Sequence, residues 1–152
     1  NPLLELARAN AQIGAGLYLS AALTLNRTFV TNPEVIDARF KPQLLPNRTR
    51  LDLAIVAIRE RLDRGHDLEG YGISLAYIGH QLGNAALMTE GLAFVKGTED
   101  VTLFGRLLRG IWLGDPVDPN TFVDPLPEPV APEALQPEAP KPEEIPGPSL
   151  VP

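Results

Sequence analysis

The sequence predicts an all-α protein. It reads as a small helical bundle or short helical-repeat body of about five to seven helices, followed by a long extended Pro-rich C-terminal tail. Three observations lead there. Apolar residues recur at helical spacing, most cleanly at Leu51, Ile55, Ile58 and Leu62. Caps, prolines and glycines punctuate the chain where helices should start and stop. No segment sustains a period-two alternation bounded by turn signals, so no sheet is expected.

The chain divides by composition into a helical domain, residues 1–114, and an acidic tail, residues 115–152. Twelve of its 16 prolines and eight of its 19 acidic residues follow Gly114, against a single base, Lys141. The tail therefore carries a charge of about −7 and the body about +1, with 12 bases against 11 acids. Phosphates would be repelled by such a tail, so nucleic acid is not an expected partner. There is no cysteine, which removes disulfide and thiolate chemistry. Asn1 is not an initiator Met, so a trimmed or processed start is expected. No basic n-region with a small-residue cleavage site is visible.

The first element is Leu3–Val30. From Ala9 to Asn26 it holds no charge, and Arg8 and Arg27 flank the run. Its apolar part, Ile13–Leu25, is only 13 residues long, where a membrane span needs about 20. A buried core helix is expected. Asn32-Pro33-Glu34 then looks like a helix start, with Asn as cap, Pro in the first turn and an acid facing the dipole. Lys41-Pro42 should end that short helix.

Thr49-Arg50-Leu51-Asp52 resembles a capping box with Asp in the acid place. The helix behind it carries its apolar face at Leu51, Ile55, Ile58 and Leu62. Arg59/Asp63 and Glu60/Arg64 are spaced as i,i+4 pairs. Gly65 suits the position after its end. Gly70 and Gly72 should delay the next helix.

The stretch Ile73–Val95 is the one around which the chain is organised. It is apolar, and Glu90 is its only formally charged residue. As one helix it would place Gly79, Gly83, Leu87 and Gly91 on a single stripe. The favoured reading is a break at Gly83-Asn84, with Gly in a left-handed conformation and Asn capping the next helix. Gly79, Gly83 and Gly91 then mark a surface that another backbone can approach closely. Lys96-Gly97 should close the element, and Thr98-Glu99-Asp100 should open the last helix. Val101, Phe104, Leu108 and Ile111 would form its apolar face, widened by Leu107 and Trp112. Gly114-Asp115-Pro116 ends it.

A faint internal echo links Ala21-Ala22-Leu23 through Phe29-Val30 with Ala85-Ala86-Leu87 through Phe94-Val95. The offset drifts from 64 to 66 residues, as two helical hairpins per unit would give. Ala21, Leu25, Thr28 and Pro33 are similar in spacing to the second half of the tetratricopeptide signature. That signature's large aromatic and small residues are mostly absent, and the family is not adopted.

Little in the sequence points to chemistry. His66 and His80 have no ligand spacing such as H-E-x-x-H, so no metal and no cofactor are expected. His80 reads as a hydrogen-bonded interior or interface residue, and His66 as exposed. The turn Asp63–Glu69 lacks the alternating carboxylates of a calcium loop. Neither Ser20 nor Ser74 sits in a strand–turn–helix elbow, and Gly14-x-Gly16 lacks the third Gly of a dinucleotide loop. Catalysis is not expected of this chain. Of Arg48, Arg50, Arg59, Arg61 and Arg64, Arg59 and Arg64 have helical acid partners and Arg48, Arg50 and Arg61 read as free, and a solvated face is expected.

The tail is the informative feature. Proline recurs too often for helix or sheet, so an extended polyproline-II segment is expected, and its 38 residues could reach on the order of 100 Å. Phe122, Val123, Leu126, Leu135, Ile145, Leu150 and Val151 are spaced along it as hydrophobic anchors for partner subunits. The expected function is a non-catalytic structural or assembly subunit of a large multi-protein complex, a virion being the favoured setting. The alternatives are a soluble helical-repeat adaptor and a membrane-associated accessory subunit anchored by the N-terminal apolar helix.

Overall fold

The computed structural model describes residues 1–95 and 99–114. Among these residues there are six α-helices and no strand: α1 (Pro2–Gly14), α2 (Tyr18–Thr31), α3 (Arg48–Asp63), α4 (Leu68–Leu82), α5 (Ala85–Leu92) and α6 (Glu99–Leu113). Two single 3₁₀ turns, Pro33–Val35 and Pro42–Leu44, lie between α2 and α3. The fold is all-α. The tail and its seven proposed anchors lie outside the described residues, as do Lys96, Gly97 and Thr98.

Helix α4 is the centre. Every residue from Tyr71 to His80 is buried. A helix that is apolar on all sides can only be satisfied by neighbours on all sides, and α2, α3 and α5 all pack on it. Helix α1 packs on α2 and α3, and α6 packs on α5. Ser74, fully buried on α4, donates its hydroxyl proton to the Tyr18 carbonyl at 2.7 Å and so ties α4 to the first turn of α2.

The break within Ile73–Val95 falls at Gly83-Asn84. Gly83 is left-handed, with φ of 63°, and the Asn84 side chain accepts from the Leu87 amide at 3.0 Å. Helices α4 and α5 therefore fold back on each other, and glycines let them touch. A Cβ at Gly79 would sit 2.7 Å from the Met88 nitrogen. One at Gly91 would fall on the Ala76 nitrogen and the Gly72 carbonyl oxygen. The approaching backbone is thus α4 against α5 of the same chain, rather than Leu3–Val30 or a neighbouring subunit.

Several local expectations are corrected. The uncharged run Ala9–Asn26 is not one helix: Gly16, at φ of 79°, turns the chain between α1 and α2. No helix among the described residues is long and apolar enough to cross a membrane. Asn32-Pro33-Glu34 opens only a 3₁₀ turn, and the Asn32 side chain makes no capping bond. It turns back instead, donating to the Thr31 hydroxyl and the Thr28 carbonyl. Asn47, not Thr49, caps α3 by accepting from the Arg50 amide at 2.9 Å. Helix α4 begins at Leu68, before Gly70 and Gly72, because Asp67 caps it through the Gly70 amide. Gly72 is kept small by α5 rather than by a turn, since a Cβ there would lie 2.7 Å from the Gly91 carbonyl oxygen.

The echo has a different register from the one read in the sequence. The two left-handed turn glycines are 67 residues apart (16 to 83). At that offset Leu6, Ala9, Ile13, Ala21 and Leu25 of the first hairpin correspond to Ile73, Ala76, His80, Met88 and Leu92 of the second, and all ten are buried. The α1–α2 and α4–α5 hairpins share one packing pattern.

The α4–α5 contact yields a prediction. Gly91→Ala must push the helices apart and is expected to cost about 2–3 kcal/mol. Gly65→Ala meets no neighbour within 4 Å, but its φ of 73° should cost about 1 kcal/mol. Urea unfolding of the two variants checks the ranking, and equal losses would refute the packing role.

Candidate functional site

The side chains best placed for a role meet where α4, α6 and the segment after α2 converge. His80 lies in the last turn of α4 and is completely buried. Its ring stacks on the Trp112 indole, with centroids 4.7 Å apart and planes 13° from parallel. Trp112 also meets Phe29 edge-on at 6.0 Å. The indole N–H donates to the Ile36 carbonyl at 2.9 Å, a link across 76 residues. Next to His80, Gln81 clamps the same segment twice, accepting from the Phe40 amide and donating to the Ala38 carbonyl, each at 2.9 Å.

His80 is interior, as expected, but not hydrogen-bonded as expected. Neither ring nitrogen has a hydrogen-bond partner among the described residues. The Asp37 carboxylate lies 3.8 Å from Nε2, too far for a hydrogen bond. Burial lowers the His80 pKa to about 4, with the Arg39 guanidinium acting in the same direction, and the Asp37 carboxylate and the nearby backbone groups of Asp37 and Ala38 acting against it. Tyr77, one turn earlier, is also buried, and its hydroxyl makes no well-formed hydrogen bond among the described residues; burial raises its pKa, with the neighbouring Asn10 side chain acting against it. His66 is exposed on the turn before α4, and the two histidines are not brought together. No group of three His, Asp or Glu side chains among the described residues could hold a metal ion.

The basic neighbourhood is more engaged than its spacing suggests. Arg59 does not pair with Asp63. It makes a two-pronged contact with Glu90 on α5, at 2.7 and 2.6 Å. That hydrogen bond, first, raises the Arg59 pKa and lowers that of Glu90. Arg48 bonds Asp52 at 3.0 Å, Arg50 donates to the Gly14 carbonyl at 2.8 Å, and Arg61 donates to the Tyr71 hydroxyl at 3.1 Å. Glu60 and Arg64 do pair, at 3.8 Å.

The outer surface of the first hairpin is a second candidate. Leu23 and Val30 on α2 are 73% and 67% exposed, and Arg27 stands between them on the same stripe. Beside them an open cleft of about 350 Å³ is lined by Glu5, Arg8, Leu23, Thr24, Arg27, Thr28, Thr31 and Asn32. Its threonine hydroxyls all bond helix carbonyls, so they are left chiefly as acceptors. On α3, Leu53 and Val56 are likewise exposed. On α6, Ile111, expected on the apolar face, is exposed, and Leu108 and Trp112 are the buried pair. Trp112, read from the sequence as widening that face, lies one helical turn beyond Leu108.

No known protein family matches this chain, and no curated protein or solved structure is similar to it.

The Gln81 clamp can be tested directly. Gln81→Ala leaves the Phe40 amide and the Ala38 carbonyl without their partner, and should cost about 1–3 kcal/mol. Thermal melts followed by circular dichroism measure it. A variant as stable as the parent would show that the Gln81 bonds do not hold the segment after α2.

Proposed function

We propose that the chain is a non-catalytic structural or assembly subunit of a large multi-protein complex, with a multi-subunit particle such as a virion as the favoured setting. In this reading the helical body docks against protein neighbours and the acidic tail straps across them. The observation that carries it is the change in composition at Gly114. Beyond it, prolines restrict the chain in advance, which lowers the entropy lost on ordering, and Phe122, Val123, Leu126, Leu135, Ile145, Leu150 and Val151 recur as separate apolar contacts. The exposed Leu23, Val30, Leu53 and Val56 supply apolar contacts on the body.

A helical-repeat adaptor is the second reading, favoured by the shared packing of the two hairpins. The two readings place the main partner contact differently, and one experiment separates them. A chain ending at Gly114 should retain its helical circular dichroism but migrate alone on a sizing column, where the full chain migrates with its assembly. Normal incorporation of the shortened chain would overturn the strap. Should Leu23→Asp with Val30→Asp then abolish incorporation, the adaptor reading takes its place.

A further inference from the structure

We propose that His80 is an acid-operated latch that holds α6 on the body while neutral and releases it when protonated. This inference stands apart from the assembly reading and rests on the α4–α6 junction alone.

Neutral imidazole suits its site. It is an uncharged plate beneath the Trp112 indole, shut off from solvent. A proton changes the balance of three effects. The indole face attracts a cation lying over it, which favours staying. Burial opposes the charge more strongly. The third effect is directional. The charged groups facing the ring come from the segment after α2: Asp37, which attracts an imidazolium, and Arg39, which repels it. Helix α6 presents the indole of Trp112.

Asp37 is 71% exposed and 3.8 Å from Nε2. That carboxylate is already within ion-pair reach of the ring and offsets only part of the cost of burying a charge there. A protonated ring is relieved fully only when its contact with Trp112 opens to water. What remains for the indole is its bond to Ile36 and its edge contact with Phe29.

The sign follows from the lowered pKa. The folded state holds the proton less readily than an unfolded chain, in which the ordinary value near 6.5 applies. The stability His80 contributes is therefore complete above about pH 6.5 and is lost as pH falls through that range toward about 4. Helix α6 is also the element from which residues 115–152 continue, so acid would act at the root of the tail.

Trp112 is the only tryptophan in the chain, so its fluorescence reports the latch without a label. The full chain is titrated from pH 7.5 to 3.5, with emission maximum and far-ultraviolet circular dichroism recorded together. The expected result is a one-proton red shift with its midpoint between about 4 and 6.5, preceding the loss of helix. His80→Phe keeps an aromatic plate that cannot be protonated and should lose that step. Asp37→Asn alters only an exposed side chain and removes the carboxylate that favours the imidazolium in the closed state, so it should move the midpoint to higher pH and decides the matter if His80→Phe does not fold. A step retained in His80→Phe, a midpoint unmoved in Asp37→Asn, or an emission change that only accompanies global loss of helix would each overturn the latch.

Discussion

Everything in the body depends on the burial of α4 from Tyr71 to His80. These ten consecutive residues are buried, and that requires helices on every side. The requirement explains why α2 and α3 lie where they do, although a long connector with two 3₁₀ turns separates them. It also explains the glycines. A central helix with α5 folded directly onto it needs positions where backbone meets backbone, and Gly72, Gly79 and Gly91 supply them. Removing methyl groups there gives up side-chain packing, but the closer approach gains dispersion contacts along both helices.

Polar groups are then placed where the apolar packing leaves them room. Ser74 reaches a backbone carbonyl and is satisfied. Gln81 sits at the edge of the buried stretch and spends its amide on two backbone groups of the segment after α2. His80 and Tyr77 face inward without a well-formed hydrogen bond among the described residues, an arrangement that costs stability when it has no other use. The ion pairs lie outside this core. Arg59 and Glu90 meet bidentately but remain partly exposed, so their contribution is modest and falls with salt.

What could be read from the sequence was the chemistry that acts within a few residues. The Gly83-Asn84 break, the left-handed Gly65 and the apolar face of α3 are local, and the chain states them directly. Misreadings arose where a residue's role is set by something distant. Gly70 and Gly72 looked like delays to a helix because their neighbours Leu19 and Gly91 are far away in sequence. Arg59 was matched with Asp63, the nearest acid at helical spacing, whereas folding brings Glu90 to it. Asn32 had the right type for a cap but the wrong backbone for a continuing helix. The candidate junction was legible only in pieces: His80 and Trp112 were each noticed, but nothing in the sequence sets a ring on α4 against a ring on α6. The tail's anchors rest on composition alone.

The link from the Trp112 indole to the Ile36 carbonyl has a consequence for how the chain reaches this state. The α1–α2 and α4–α5 hairpins close through turns of only a few residues, so little chain entropy stands against them and each can form early. The indole's hydrogen bond closes a loop of 76 residues and has nothing to bond until the segment after α2 is already in position. On loop-closure grounds α6 is expected to be the last piece to arrive. Run in reverse, the same order makes the C-terminal helix the first to detach while the two hairpins stay closed, so the body is graded in persistence from its centre toward the end that bears the acidic, Pro-rich sequence.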